Sequence, residues 1–145
     1  HPFVVRRNLT IDRLAIDVTS GGGASKVARI VIYNDNGSIY PGTLLLDAGT
    51  VSVVNVAIVA ATISKALTKG LYWIGVASDG TPTLSAPKAT YSPIGVEPTN
   101  FGSNSVLTHY RYDAANITAI DPFPASQSAT GGAAPYALPR LLTLD

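Results

Sequence analysis

A chain of 145 residues, 46% apolar, 13% charged and with a net charge of +1, is long enough to bury a core as one domain. It carries about half the usual charged share of about 25%, and its basic residues are scattered apart from Arg6-Arg7, so it lacks the electrostatic footprint of a nucleic-acid binder. Without cysteine it has no disulfides, Cys-based zinc sites or thiol catalysis, and no apolar run reaches the roughly 20 residues of a membrane-spanning helix.

Residues 1–7 are extended by default, because Pro2 and the β-branched pair Val4-Val5 favour it. Over 8–19 the apolar residues alternate but change phase. Leu9 and Ile11 share one face, then Leu14, Ile16 and Val18 take the other parity, with Asp12-Arg13 between them. A slip of one residue is what a β-bulge produces. Three consecutive glycines make 20–25 a loop, and they lack both the Lys-Ser/Thr ending and the following helix of a phosphate-binding loop.

Residues 26–34 form the next expected strand, with Ala28, Ile30 and Ile32 on one face and Val27, Val31 and Tyr33 on the other. Asn34-Asp35-Asn36-Gly37 is a turn signal, Tyr40-Pro41-Gly42-Thr43 predicts a second turn, and Leu44-Leu45-Leu46 leads into Asp47-Ala48-Gly49-Thr50. Residues 57–67 admit a helix, since alanine is frequent and Lys65 and Lys69 lie four apart. The density of valine and the alternation favour a strand, turning as a hairpin through 68–70 into the next one.

That next strand spans 70–80, is bounded by glycine at both ends and holds the only tryptophan. Leu71, Trp73, Gly75 and Ala77 share one face; Tyr72, Ile74, Val76 and Ser78 share the other. Both faces are mostly apolar, which predicts a central strand covered on both sides, with something packed closely over Gly75 and Ala77.

Residues 81–84 again read as strand, 85–104 as a long loop with three prolines, 106–112 as strand, 113–134 as a second loop of low complexity, and 138–144 as a final strand pairing back into a sheet. The expected fold is all-β: a single antiparallel β-sandwich over 1–145, jelly-roll-like, with long late loops. A chain without methionine that opens on His1-Pro2-Phe3, with no signal-peptide pattern, is expected to be part of a longer protein.

Chemistry is sparse. A hydrolytic triad needs a base, and neither His1 nor His109, which lies in an expected strand, has a partner pattern or a Gly-x-Ser-x-Gly elbow. Glu97 is the only glutamate, and several aspartates stand beside turn glycines, so turn geometry accounts for them better than a catalytic carboxylate pair. Asp35-Asn36-Gly37 has the oxygen donors and glycine of a calcium loop but not its twelve-residue pattern. The chain is therefore expected to be no enzyme, with no cofactor and no metal site. One constellation stands out: Tyr110, Arg111, Tyr112 and Asp113 at a strand end put two tyrosines on one face with a cation and a carboxylate nearby. This is equipment for contacting a sugar or a protein, or simply a core edge with solvated hydroxyls.

Three segments form an ordered set: Ala28-Arg29-Ile30-Val31-Ile32-Tyr33-Asn34-Asp35, Tyr40-Pro41-Gly42-Thr43-Leu44-Leu45-Leu46-Asp47-Ala48-Gly49-Thr50-Val51, and Gly70-Leu71-Tyr72-Trp73-Ile74-Gly75-Val76-Ala77-Ser78-Asp79-Gly80-Thr81-Pro82-Thr83-Leu84. The set resembles the β-sandwich domains of tailed-bacteriophage virion proteins, found in fibres and capsid-surface decorations. The opening His1-Pro2-Phe3 and Leu9-Thr10-Ile11-Asp12-Arg13-Leu14 fit the same pattern. The resemblance covers roughly residues 1–84 and carries no active-site residues. It implies a jelly-roll-like domain, often a homotrimer, placed on the virion surface among other virion proteins. The function it implies is a structural module, a fibre or capsid-decoration domain. The alternative is a receptor- or carbohydrate-binding module at a fibre tip, whose late loops contact host glycan or protein. No nucleic acid and no membrane insertion are expected.

Overall fold

The computed structural model describes residues 1–85, 95–96, 106–110, 117–125, 129–131 and 138–144. Among them are eleven strands and no helix: β1 (Pro2–Val5), β2 (Leu9–Ser20), β3 (Val27–Asp35), β4 (Pro41–Ser52), β5 (Ala57–Leu67), β6 (Gly70–Ser78), β7 (Thr83–Leu84), β8 (Gly95–Val96), β9 (Val106–Tyr110), β10 (Ala129–Gly131) and β11 (Leu138–Leu144). One sheet has the order β1-β6-β3-β4. The other has the order β11-β2-β5, with β7 also pairing β2 beyond the end of β11. All pairings are antiparallel, and a small third sheet joins β10, β9 and β8.

The two large sheets pack face to face as a β-sandwich. Leu14, Ile16 and Val18 of β2 and Leu67 of β5 meet Ala28, Ile30 and Ile32 of β3, Tyr72 and Ile74 of β6 and Val5 of β1. The alternation of apolar side chains on β2 and β3 is what divides these inward residues from their neighbours. Its change of phase on β2 is real: the register against β5 shifts between Ile11 and Arg13, so that Ile11 and Leu14, three apart, are both buried.

Five of the first six connections pass from one sheet to the other, and only β3–β4 is a hairpin within a sheet. This corrects the expected hairpin between 57–67 and 70–80. Those strands are β5 and β6, in different sheets, and the two residues between them, Thr68 and Lys69, form an arch across the sandwich edge. The expected second turn at 40–43 is also corrected. Pro41 begins β4, which continues through Asp47-Ala48-Gly49-Thr50 to Ser52. The turn-like residues mark irregularities inside the strand: its register against β3 shifts three times, Gly49 has φ 78°, and Asp47 Oδ1 accepts the Gly49 N–H at 2.9 Å.

The residues 70–78 behave as their pattern predicts. β6 lies between β1 and β3, with Tyr72 and Ile74 turned into the sandwich core and Trp73 turned to the outer face of the same sheet. A Cβ at Gly75 would come within 2.8 Å of Val31 Cγ2 and 3.4 Å of Tyr33 Cε2, so the outer face does pack closely over it. Residues 81–84 and 138–144 supply β7 and β11 on the same side of β2. The expected loops at 85–104 and 113–134 contain the short strands β8 and β10; the rest of 85–104 beyond Ser85 lies outside the described residues.

Candidate functional site

Tyr110, the first residue of the sequence constellation, stands at the end of β9 and packs on the outer face of the β1-β6-β3-β4 sheet. Arg111, Tyr112 and Asp113 lie outside the described residues. Tyr110 belongs to a group of five aromatic rings. Its centroid is 4.5 Å from that of Tyr40 and 5.4 Å from that of Trp73, while Phe123 lies 5.8 Å from Tyr40 and 5.6 Å from Tyr33, edge-on to both. Tilted and edge-to-face pairs at such separations add about 0.5–1.5 kcal/mol each beyond the area they bury.

Polar groups of the cluster are matched. Trp73 donates its indole Nε1–H to Asp35 Oδ1 at 2.8 Å, and the Tyr40 backbone N–H donates to the same oxygen at 3.0 Å. The other oxygen, Oδ2, accepts the Gly37 N–H at 2.8 Å, which closes the β3–β4 turn where Gly37 takes φ 90°. Three N–H donors converge on the Asp35 carboxylate, so the acid of the calcium-like motif is spent on the turn and the indole. Among the described residues, no group of three His, Cys, Asp or Glu side chains is placed to hold a metal ion.

Residues 117–125 run over this face as a strap with four anchors on the sheet. Arg29 Nε donates to the Ile117 carbonyl at 2.6 Å, with Arg29 held in turn by Asp47 through an ion pair of 2.5 Å. Asp121 Oδ1 accepts the Leu44 N–H at 2.9 Å, and the Phe123 N–H donates to the Gly42 carbonyl at 3.1 Å. The Tyr40 hydroxyl donates to the Pro124 carbonyl, and the Tyr110 hydroxyl reaches the Ile39 carbonyl at 3.3 Å. Burial under the strap raises the pKa of Tyr33 above its usual 10.0. The charges of Asp121 and Asp47 add to the rise, and a backbone hydrogen bond with Ile120 opposes it.

This arrangement makes Tyr110 a half-buried packing residue of the covered sheet face. His109 pairs through its backbone with Thr130 of β10. The strap and the Asp35–Trp73 bond were not read from the sequence. The signal for them was the presence of Tyr40, Phe123 and Trp73 in segments that periodicity treats separately.

Elsewhere the molecule presents apolar side chains to solvent at Val4, Ile39, Val56 and Ile58, exposed by 66%, 48%, 69% and 75%. Ile58 belongs to β5, whose outward side chains Ile58, Ala60, Thr62, Ser64 and Ala66 are exposed and uncharged. Scattered exposed apolar residues are ordinary, but a neutral run along a sheet-edge strand is a surface suited to association. No protein-family model, curated protein or solved structure matches the chain.

Proposed function

We propose that the chain is a structural module of a tailed-bacteriophage virion, a fibre or capsid-decoration domain that acts through packing and display and catalyses nothing. The observation that carries this reading is the ordered set of segments resembling such domains. Its three parts correspond to β3, β4 and the β6–β7 region, and β6, β3 and β4 are neighbours in one sheet. β7, at the end of the third part, pairs with β2 in the other sheet, so the set spans both layers of the sandwich. The low charge and the neutral β5 surface support a module that is covered in an assembly, by copies of itself and by other virion proteins.

The receptor-binding alternative draws less support. A glycan-binding tip exposes aromatic rings, whereas Tyr110 and Phe123, the described aromatic residues of the late segments, pack against Trp73, Tyr40 and Tyr33. The reading is tested by raising antibodies against the chain and labelling purified particles of the phage whose genome encodes it. Gold on fibres or capsid surface is the expected result. Label confined to the particle-free lysate contradicts it.

A further inference from the structure

Most edges of the sandwich are short or closed by the chain itself. β1 has four residues, Asp121 and Phe123 cap β4 at Leu44 and Gly42, and β7 and β11 lie along one side of β2. β5 differs: it is eleven residues long, sits at the other side of β2, and turns exposed neutral side chains outward.

The register places this neutral strip beside a charge pattern on β2. Ile58 pairs with Asp17, Ala60 with Ala15, and Thr62 with Arg13, so all six residues share the outer face of the sheet. Arg13 and Asp17 are both exposed. Four residues apart on a strand they stand about 13 Å from each other, too far to pair. Asp17 Oδ2 accepts the Ser85 hydroxyl at 2.5 Å, and among the described residues no carboxylate pairs with Arg13.

We propose that this outer face of the β2–β5 pair docks a second copy of the chain, about a two-fold axis that lies in the face and crosses the two strands at Ala15 and Ala60. The charge pattern is complementary to itself under that operation and under no simple slide of it. Rotation about the axis reverses the strand direction, so Arg13 of one copy comes over Asp17 of the other, twice, and Ile58 comes over Thr62. The alanines at the axis are small enough for the sheets to approach to about 10 Å, the usual spacing of stacked sheets. The inference rests on the reading of the chain as a packing module. It joins copies in pairs, where the resemblance alone implies threefold assembly.

Sedimentation equilibrium on the chain and on its Arg13→Asp, Asp17→Arg and double-swap variants tests the contact. The wild type is expected at the mass of two 15.0 kDa chains. Each single variant should weaken the dimer by about tenfold or more, since it sets like charges over each other twice, and the double swap should restore it. Ile58→Lys alters a side chain 75% exposed and reads the same contact if a charge variant fails to fold. Circular dichroism and Trp73 emission establish folding for each variant. A dimer indifferent to these changes overturns the inference. A trimer overturns it while leaving the assembly reading standing, and a monomer at every concentration overturns both.

Discussion

The indole N–H of Trp73 and the carboxylate of Asp35 meet at 2.8 Å across two neighbouring strands, and the same carboxylate closes the β3–β4 turn. One acid thereby couples the hairpin to the only tryptophan. Trp73 is 1% exposed, so its N–H has no recourse to water if the acceptor is lost.

Replacing Asp35 by Ala removes the acceptor from three N–H groups at once. The buried indole alone accounts for about 1–3 kcal/mol, and the released turn adds to it. Urea unfolding should show a lower midpoint with an unchanged slope, and Trp73 emission should shift in the folded baseline. A midpoint equal to that of the wild type contradicts the coupling.

Gly75→Ala sets a methyl group 2.8 Å from Val31 Cγ2, inside the closest approach real side chains make. Val31 is β-branched and 7% exposed, so it has little room to turn away. A loss of about 1–3 kcal/mol is expected from overpacking. Val31→Ala in the Gly75→Ala background should recover part of it, an effect that additive losses would not produce.

Ile39 is a β-branched residue at φ 56°, a region in which the backbone costs about 1–2 kcal/mol for ordinary L-residues. Its side chain is 48% exposed, and only its carbonyl is used, by Tyr110. Asn tolerates this conformation, so Ile39→Asn should stabilise the chain by about 1 kcal/mol, or raise Tm by about 2–4 °C. A fall in Tm would mean that the side chain has packing value.

Much of this was legible in the sequence and some was not, for physical reasons. The phase slip of β2, the two faces of β3 and the double-sided burial of β6 follow from the period of two along a strand, and the return of 138–144 from its apolar character. The turn signals at 40–43 and 47–50 misled because the residues that make turns also make bulges, and a strand of twelve residues needs bulges to follow the twist of its neighbours. The arch at Thr68 and Lys69 looks like a hairpin because local spacing does not encode which sheet the next strand joins. Of the constellation at 110–113, only Tyr110 lies among the described residues, in β9, and the rings grouped with it come from positions 33, 40, 73 and 123, a convergence that no local pattern carries.

Tyr33 supplies the pH dependence. Its folded-state pKa is raised, chiefly by burial, so the unfolded chain loses this proton first as pH rises through 10.0. The neutral phenol therefore contributes stability that is fully present below pH 10 and is lost as pH climbs through the higher folded value. Tyr33→Phe should flatten the alkaline limb of a stability–pH curve. An unchanged limb would place the loss on other groups.

The chain's own strap, 117–125, together with Tyr110, covers Trp73, so this sheet face is packed by the chain itself. A single tryptophan gives a single indole N–H resonance, and its hydrogen exchange reads that cover directly. Exchange as slow as the slowest core amides, released in the Phe123→Ala variant, is the predicted result. Rapid exchange in the wild type, indifferent to that substitution, would mean that the face is open and that the strap does not cover Trp73.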